Sequence, residues 1–407
     1  MNNSKEIFNI ALGIVLPWQV SSVYFKEENN KRELHIELAF QRGSKFVSVD
    51  GNSYTAYDSV NRTWQHLHFF EHKCFIHASV PRIKQQDGKV VTQDVPWARK
   101  GSGFTLLFEA YSMLLIENEM PVKKASSIMG VYPQRLWNVF SHWVSRAHKA
   151  DKIDALEAIG FDETSSKKGH NYVTTMVDIE QRRVLFASPG KGADNIKKSV
   201  EYLKEKSVDP MEIKQVCIDM SPAFISGCIN HLSQAAITFD KFHVVKEVNA
   251  AMDDLRRIER SGNEMLKGHK YTFLKNKLTP KLQNERDMLL QMYPKLGEGY
   301  RLMLLFKDFW DIQDKEEAEG YLAFWCDLAK ESGIAPFVKA VNTIKAHWSG
   351  IINYIVSKIN NGILEGINSK IQLAKKRARG YRNINNFINM IYFTCGKLKF
   401  DYPLYSI

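Results

Sequence analysis

The sequence predicts a protein of the α/β class, in which a small β-rich module and a helical segment precede an α/β core with a helical insertion. Short stretches of alternating apolar and polar residues dominate from Val20 to about Val95. After the glycines at 101 and 103 the apolar residues recur at helical spacing. From about Ala158, strands alternate with helices, as in an α/β sheet. We therefore expect segments at 1–100, 101–152, 153–250, 251–345 and 346–407.

Length and composition favour a multidomain protein that binds a polyanion. The 407 residues are 44% hydrophobic, enough for a large core and two to three domains. The formal charge is +11, which favours nucleic acid as partner, with an anionic membrane surface as the second candidate. The apolar run from Ile10 to Leu16 is too short to span a bilayer. Because five scattered cysteines argue against a disulfide framework, we expect a protein of a reducing cytoplasm that is not associated with a membrane.

The first two segments contain a strand and a helix-turn-helix pattern. Glu33 to Phe40 alternates as a half-buried strand, and Phe104 to Leu115 carries an apolar helical stripe. Met120 to Phe140 indicates a helix, a turn at Gly130 and a second helix that would enter the DNA major groove. The expected packing side is Leu136, Val139, Phe140 and Trp143, and the expected DNA contacts are Gln134, Arg135, Asn138 and His142.

The core begins with three strands and continues with helices between two more. The predicted strands are 158–161, 172–177, 183–187, 216–218 and 235–239, with helices at 193–206 and 222–232. Antiparallel hairpins followed by a helical crossover match an RNase H-like layout. After Asp240 the pattern is helical, with helices predicted at 242–258, 300–309, 317–330 and 337–358. We interpret 251–345 as a helical insertion.

Three acidic residues of this core suggest a metal site. Asp162 and Asp219 each follow a short apolar run and are expected to end a strand, while Glu365 follows the insertion. Three oxygen ligands suit two Mg²⁺ or Mn²⁺ ions, which would activate a water or a 3′ hydroxyl for attack on a phosphodiester. The alternative for each residue is an ordinary turn or cap role. Glu247 and Glu259 compete with Glu365 as the third ligand.

Basic and titratable residues surround this proposed site. The segment from Gly366 to Phe400 has no acidic residue, so DNA contact is favoured over a solvated helix face. Asp240 and His243 would line the same cleft, and Tyr381 would either stack on DNA or join the core. The expected DNA contacts here are Lys370, Lys375, Lys376, Arg377, Arg379 and Arg382.

A group of histidines with one cysteine invites a zinc interpretation. The group lies between His66 and His77, but it lacks paired Cys-x-x-Cys spacing, and alternation along strands explains it as well. Its members are His66, His68, His72, Cys74 and His77.

These motifs together resemble the DDE transposases of the ISL-three family of bacterial insertion sequences. The matching passages include Gly160-Phe-Asp-Glu-Thr, Cys217-Ile-Asp-Met-Ser, Phe239-Asp-Lys-Phe-His and Leu364-Glu-Gly-Ile-Asn. The resemblance implies that Asp162, Asp219 and Glu365 are the catalytic triad. It further implies an enzyme that binds the terminal inverted repeats of its element as a multimer, and that cuts and rejoins double-stranded DNA using magnesium. Such an enzyme would work in the bacterial cytoplasm, associated with the nucleoid.

One departure from the family concerns its N-terminal zinc knuckles. The corresponding turns here are Ser48-Val-Asp-Gly51 and Gln85-Gln-Asp-Gly88, which keep the glycines but lack the cysteines. We therefore expect no zinc. Two other functions remain open: a catalytically silent DNA-binding protein, and an RNase H-like nuclease or resolvase without strand transfer.

Overall fold

The computed structural model describes two compact units. The described residues are 3–28, 30–48, 50–169, 171–261, 264–275, 277–357, 359 and 362–402. One unit comprises Met1–Lys149 and Lys399–Ile407, and the other comprises Ala150–Leu398. Within the described ranges, no helix is long and apolar enough to cross a bilayer. All five cysteines are buried and free.

The first unit opens with a helix that the sequence did not predict, followed by a β-rich module that it did. Helix α1 spans Asn3–Ala11. The main sheet has the order β1-β2-β6-β5, with β7 paired to β6, while β3 and β4 form a separate hairpin. The strands are β1 (Trp18–Glu28), β2 (Lys31–Phe40), β3 (Lys45–Val47), β4 (Ser53–Thr55), β5 (Asp58–Phe69), β6 (His72–Lys84) and β7 (Val90–Thr92).

One face of this sheet is buried around a group of tryptophans. Trp97 packs edge-to-face against Trp18 and Trp64, with ring centroids 4.9 and 5.6 Å apart. Aromatic pairs in this geometry stabilise a core beyond the effect of their buried area. The module therefore has a hydrophobic core of its own, which also includes Leu34, Ile36 and Ile76.

Three helices complete the first unit and confirm the predicted helix-turn-helix. They are α2 (Leu106–Glu117), α3 (Val122–Ile128) and α4 (Pro133–Ala150). Gly130 adopts φ +64° in the turn between α3 and α4, a conformation that favours glycine. The side chains predicted to pack, Leu136, Val139, Phe140 and Trp143, are all buried.

The second unit contains a five-stranded sheet with the order β10-β9-β8-β11-β12. Strands β8, β9 and β10 pair antiparallel, whereas β8, β11 and β12 pair parallel. All five predicted strands are confirmed. The strands are β8 (Ala158–Lys167), β9 (Asn171–Asp178), β10 (Arg183–Pro189), β11 (Gln215–Ile218) and β12 (Ala236–Phe239).

The expectation that Asp162 ends its strand was wrong. Strand β8 continues to Lys167, and Asp162 pairs with Thr175 in its middle. The polar residues that follow Asp162 are held in the strand by side chains of a later helix, because Gln372 Nε2 donates to Thr164 Oγ1 at 2.6 Å. Asp162 is therefore fixed within a strand that pairs with β9, and not by a flexible turn.

Eleven further helices follow in the described part of this unit, and one predicted helix is divided into two. The prediction for 337–358 was wrong, because α12 ends at Ala346 and α13 begins at Trp348. At the break His347 Nδ1 donates a hydrogen bond to Thr343 O at 2.7 Å, and the His347 ring packs against Phe239. Lys358 lies outside the described residues. The helices are α5 (Ala193–Glu205), α6 (Pro222–His231), α7 (Lys241–Glu259), α8 (Lys270–Leu274), α9 (Pro280–Met292), α10 (Pro294–Asp308), α11 (Lys315–Glu331), α12 (Ala335–Ala346), α13 (Trp348–Ser357), α14 (Gly362–Arg377) and α15 (Ile384–Cys395).

The helices pack against the sheet and close both of its edges. Buried side chains from α7 to α13 belong to the same hydrophobic cluster as those of β8 and β11. At the β12 edge, Asn353 Nδ2 donates to Ile237 O at 2.8 Å. At the β10 edge, the Tyr392 hydroxyl accepts from Ala187 N at 2.9 Å and donates to Ala187 O at 3.3 Å. Side chains of two helices thus satisfy backbone groups that an edge strand would otherwise expose.

Candidate active site

Two neighbouring parallel strands bring Asp162 and Asp219 together. Gln215, Val216 and Cys217 of β11 pair with Ala158, Ile159 and Gly160 of β8. Continuing this register by two residues sets Asp219 beside Asp162 at the point where β11 ends. Asp219 Oδ1 accepts a hydrogen bond from Ser221 N at 2.9 Å, in the turn that begins α6. Each carboxylate is thus held by its own backbone turn or pairing.

Burial makes the charged form of Asp162 costly. The pKa of the Asp162 carboxyl is raised to about 6, chiefly by this burial and to a smaller extent by the charges of Asp240 and Asp219. A hydrogen bond from Glu163 N and the nearby His243 act in the opposite direction. Burial also raises the pKa of Glu163. A cluster of partly buried carboxylates creates a demand for a positive counter-charge.

The predicted residues Asp240 and His243 lie beside this pair of carboxylates. Asp240 follows β12 and caps α7, its Oδ1 accepting from Phe242 N at 2.7 Å. Its Oδ2 lies 2.7 Å from His243 Nδ1. This hydrogen bond raises the pKa of His243, and the charges of Asp240, Asp219 and Asp162 add to the rise. His243 can therefore carry a positive charge next to the acidic cluster.

Helix α14, which carries Glu365, packs against β8 at the level of Asp162. A Cβ built on Gly160 would lie 2.9 Å from Leu364 Cδ2, so only glycine allows this close approach. Asn368 Nδ2 donates a short hydrogen bond to Asp162 Oδ2. Glu365 is exposed and precedes Asn368 by three residues, a spacing that sets two side chains on the same face of a helix. Asn368 is a residue that the sequence did not single out.

The donors at this site suit a hard divalent cation. All the nearby candidates offer oxygen, apart from the imidazole of His243. Asn368 Oδ1 is buried and has no hydrogen-bond partner, so this side chain has an oxygen acceptor available next to Asp162. Among the described residues, no three His, Cys, Asp or Glu side chains are spaced to hold a metal ion as they stand. The alternatives Glu247 and Glu259 lie about two and five turns along α7 from Asp240.

The predicted basic segment lies along α14 and the turn that follows it. The exposed members of this segment are Lys370, Lys376, Arg377, Arg379 and Arg382. Lys375 differs, since its Nζ donates to Ser165 O at 2.6 Å and contacts Ser165 Oγ at 3.1 Å. Asn368, Gln372 and Lys375 therefore bond to three residues of β8 between Asp162 and Ser165. We call these three side chains the α14 ladder.

Tyr381 packs within the protein. Its ring centroid lies 5.2 Å from that of Phe387, and burial raises the pKa of its hydroxyl to about 12. This geometry matches the core alternative of the two that the sequence left open.

The predicted DNA contacts of the helix-turn-helix lie on the exposed side of α4. Gln134, Arg135 and Asn138 are exposed, and Gln134 Nε2 donates to Asn138 Oδ1 at 3.1 Å. His142 is half-buried, and burial lowers its pKa. The sequence missed Glu109 of α2, which is fully buried beneath this helix. The sequence signal that could have identified Glu109 is its charge within the otherwise apolar stripe of α2.

Apart from the exposed His68, the histidines of the group and Cys74 are engaged in hydrogen bonds or in the core of the β-rich module. Cys74 is buried, and its thiol pKa is raised to about 12 by that burial. His66 Nδ1 lies 2.8 Å from Thr105 Oγ1, and His77 Nε2 lies 2.8 Å from His35 Nδ1. The strands thus distribute these side chains among several partners.

The two turns that correspond to zinc knuckles contact each other without a metal-binding set. Gly51 and Gly88 adopt φ +80° and +83°, each closing a tight hairpin turn. Gln85 Nε2 donates to Ser48 Oγ at 2.7 Å. Hydroxyl and amide groups replace the thiolates that tetrahedral zinc sites use. The residues present do not fit a structural zinc ion.

Comparison with known proteins identifies the family. A family profile described as a transposase matches residues 159–391, more than half of the chain. A second profile, the helix-turn-helix domain of transposase family ISL3, matches residues 93–144. The chain belongs to the ISL3 transposase family. It is therefore a transposase, a DNA-cleaving enzyme with a DNA-binding helix-turn-helix, and the predicted family is confirmed.

Two relatives extend the match over most of the chain. The transposase for insertion sequence element IS1001 of Bordetella parapertussis is 28% identical over 353 residues, which cover 81% of this chain and 84% of the relative. The transposase for element IS1557 of Mycobacterium tuberculosis is 24% identical over 364 residues, which cover 82% and 81%. This transposase therefore resembles its relatives across both of its units.

Proposed function

We propose that Asp162, Asp219 and Glu365 form the acidic triad of an RNase H-like core that cuts and joins DNA at the terminal inverted repeats of an insertion sequence. The observation that carries the proposal is the pairing register of β8 and β11, which brings two acidic residues of separate strands side by side. The sheet order and strand directions support the RNase H-like assignment. The α14 ladder supports Glu365, since it fastens the helix of Glu365 to β8.

Magnesium or manganese would be held by the three carboxylates. Two such ions would supply an activated nucleophile and would stabilise the leaving oxygen of a phosphodiester. Asn368 would orient Asp162 for this role through its hydrogen bond to Asp162 Oδ2. The Asp240–His243 pair would contact a phosphate next to the carboxylates. The exposed basic residues Lys370, Lys376, Arg377, Arg379 and Arg382 would hold the DNA backbone, and Gln134, Arg135 and Asn138 would contact the element ends.

Amide substitutions test the triad with little change in shape. Asp162→Asn, Asp219→Asn and Glu365→Gln are incubated with element-end DNA, a target plasmid and Mg²⁺, and joined and cleaved products are separated on gels. We expect each variant to bind end DNA with unchanged affinity and to lose both products. Glu201→Gln on α5, an exposed glutamate, is the matched control and should retain activity.

The same assay distinguishes the competing functions. Joined products from the unmodified protein support a transposase, whereas cleavage without joining indicates a nuclease or resolvase. Binding alone indicates a silent DNA-binding protein. An active Glu365→Gln variant together with an inactive Glu247→Gln or Glu259→Gln variant would move the third ligand to α7.

Assembly of two copies on two element ends is part of this proposal, because strand transfer must bring both ends together. Light scattering of the protein alone and with end DNA measures the number of chains. A single chain per DNA end at all concentrations, with full joining activity, contradicts this part.

A further inference from the structure

A glycine-containing loop lines a basic cleft in the first unit, next to the helix-turn-helix. The cleft has a volume of about 500 Å³, and its lining includes Arg62, Arg99 and residues 100–103. Asp94 is the acidic residue in the lining. Arg62 and Lys100 are exposed, and neither forms an ion pair within the part of the chain that the structure describes. The cleft therefore carries an excess of uncompensated positive charge.

A buried carboxylate holds this loop in place. Glu109 is fully buried and accepts hydrogen bonds from Arg99 Nε at 2.8 Å, Ser102 Oγ at 2.5 Å and Trp143 Nε1 at 2.8 Å. Trp143 belongs to α4, so one carboxylate connects the loop to the second helix of the helix-turn-helix. A buried charge needs such partners, since leaving it unpaired costs several kcal/mol. The loop conformation is thus built into the fold of the unit.

The loop continues directly into the exposed side of α4. The guanidinium of Arg135 lies over the ring of Phe104, 4.3 Å from its centroid. Its Nη2 is 3.3 Å from the position of a Cβ built on Gly103. The backbone N–H groups of Gly101 and Gly103 have no acceptor among the described residues. Backbone N–H groups and cations side by side are the usual donors to phosphate oxygens.

We propose that residues 99–103, together with Arg62, bind the DNA phosphate backbone and thereby fix the orientation of α4 in the major groove. DNA fits this surface better than a small anion does, because the cations extend from Arg62 through Lys100 to Arg135. Glu109 is a positioning residue that never touches DNA. The inference concerns binding alone, so it does not depend on the acidic triad.

Salt dependence of DNA binding tests the proposal. The double variant Arg62→Ala/Lys100→Ala is compared with the unmodified chain on end DNA and on random DNA, across a salt series without Mg²⁺. Each phosphate contact contributes about 0.9 to the slope of log K against log salt concentration, so the slope should fall by about 2. The loss of affinity should be equal for both DNAs, because phosphates carry no sequence information.

A charge-matched control removes the effect of net charge. Lys31→Ala/Lys89→Ala deletes two exposed lysines of the same unit and should leave the slope nearly unchanged. Circular dichroism confirms that both double variants are folded. If the two double variants have the same slope, or if the cleft variant weakens binding to end DNA alone, the proposal is wrong. The binding measurements contain no Mg²⁺ and no cleavage step, so a negative result in the triad assay does not change their interpretation.

Discussion

Gly160 offers a direct test of how the helix that carries Glu365 is positioned. It lies in β8 two residues before Asp162, and its lack of a side chain allows Leu364 of α14 to contact the strand. Gly160→Ala adds one methyl group at this contact. We expect the substitution to displace α14 from β8 while leaving the DNA-binding unit unchanged.

The distances in the structure set the size of the effect. The new Cβ would lie 2.9 and 3.0 Å from the two Leu364 methyl carbons and 2.9 Å from Ile179 Cδ1, whereas ordinary contacts are 3.4–4 Å. The neighbours must therefore move by roughly 0.5 to 1 Å. Overpacking of this kind costs about 1–3 kcal/mol in unfolding free energy. A displacement of about 1 Å at a catalytic group reduces the rate by about 10²-fold.

Three measurements on the same protein separate these effects. Strand joining is assayed with element-end DNA and Mg²⁺, end binding by gel shift, and stability by urea unfolding. We expect joining to fall by about 10²-fold, with end binding unchanged and a stability loss of about 1–3 kcal/mol.

A compensating substitution decides whether the contact is the cause. Leu364→Val shortens the facing side chain, at a cost of about 1 kcal/mol alone. In the Gly160→Ala background it should restore part of the joining activity, because it relieves the contact with Leu364 while the contact with Ile179 remains. Joining by Gly160→Ala within twofold of the unmodified chain refutes this account of α14, as does a double variant less active than both single variants.

Three further predictions follow from single contacts. Asn368→Ala removes the hydrogen bond to Asp162 and should lower strand joining by about 10- to 100-fold, with end binding retained. The same gel assay measures both, and unchanged joining would contradict a positioning role for Asn368. Burial lowers the pKa of His66 from 6.5 to about 4. Between these two pH values the unfolded chain binds a proton at His66 and the folded protein does not, so the free energy of unfolding falls as the pH drops from 6.5 towards 4. Urea unfolding should show a loss of about 2 kcal/mol from pH 7 to pH 5, smaller in His66→Gln, and an equal loss in both would count against it. Metal analysis should find no stoichiometric zinc, and chelation should stop cleavage without affecting end binding; one zinc per chain would overturn the interpretation of the Ser48 and Gln85 turns.

The sequence predicted the elements of the core well where short-range periodicity determines them. All five strands of the second sheet and the helix-turn-helix follow from apolar spacing. The end of β8 could not be predicted, because Thr164 and Ser165 look like turn residues and are kept in the strand by Gln372 and Lys375, about 200 positions away. A local pattern contains no information about such partners.

The acidic residues of the candidate site can be proposed from the sequence, whereas the contacts that support them cannot. Asp162 and Asp219 each follow an apolar run, a signal within a few residues. Asn368 acts through a hydrogen bond to another element, so it does not stand out in the chain. Glu109 stands out only as an acidic residue in an apolar stripe, and its partner Trp143 lies in another helix. The division of the predicted helix at His347 likewise depends on Phe239, which lies in a different element of the same unit.

The closure of the second sheet restricts how copies of this protein can meet. Asn353 and Tyr392 occupy backbone groups of β12 and β10, the two outermost strands. A neighbouring chain cannot extend the sheet across either side without first detaching a helix. A complex that joins two element ends is therefore not built by adding strands to this sheet, and the same helices protect its two edges from strand-to-strand aggregation.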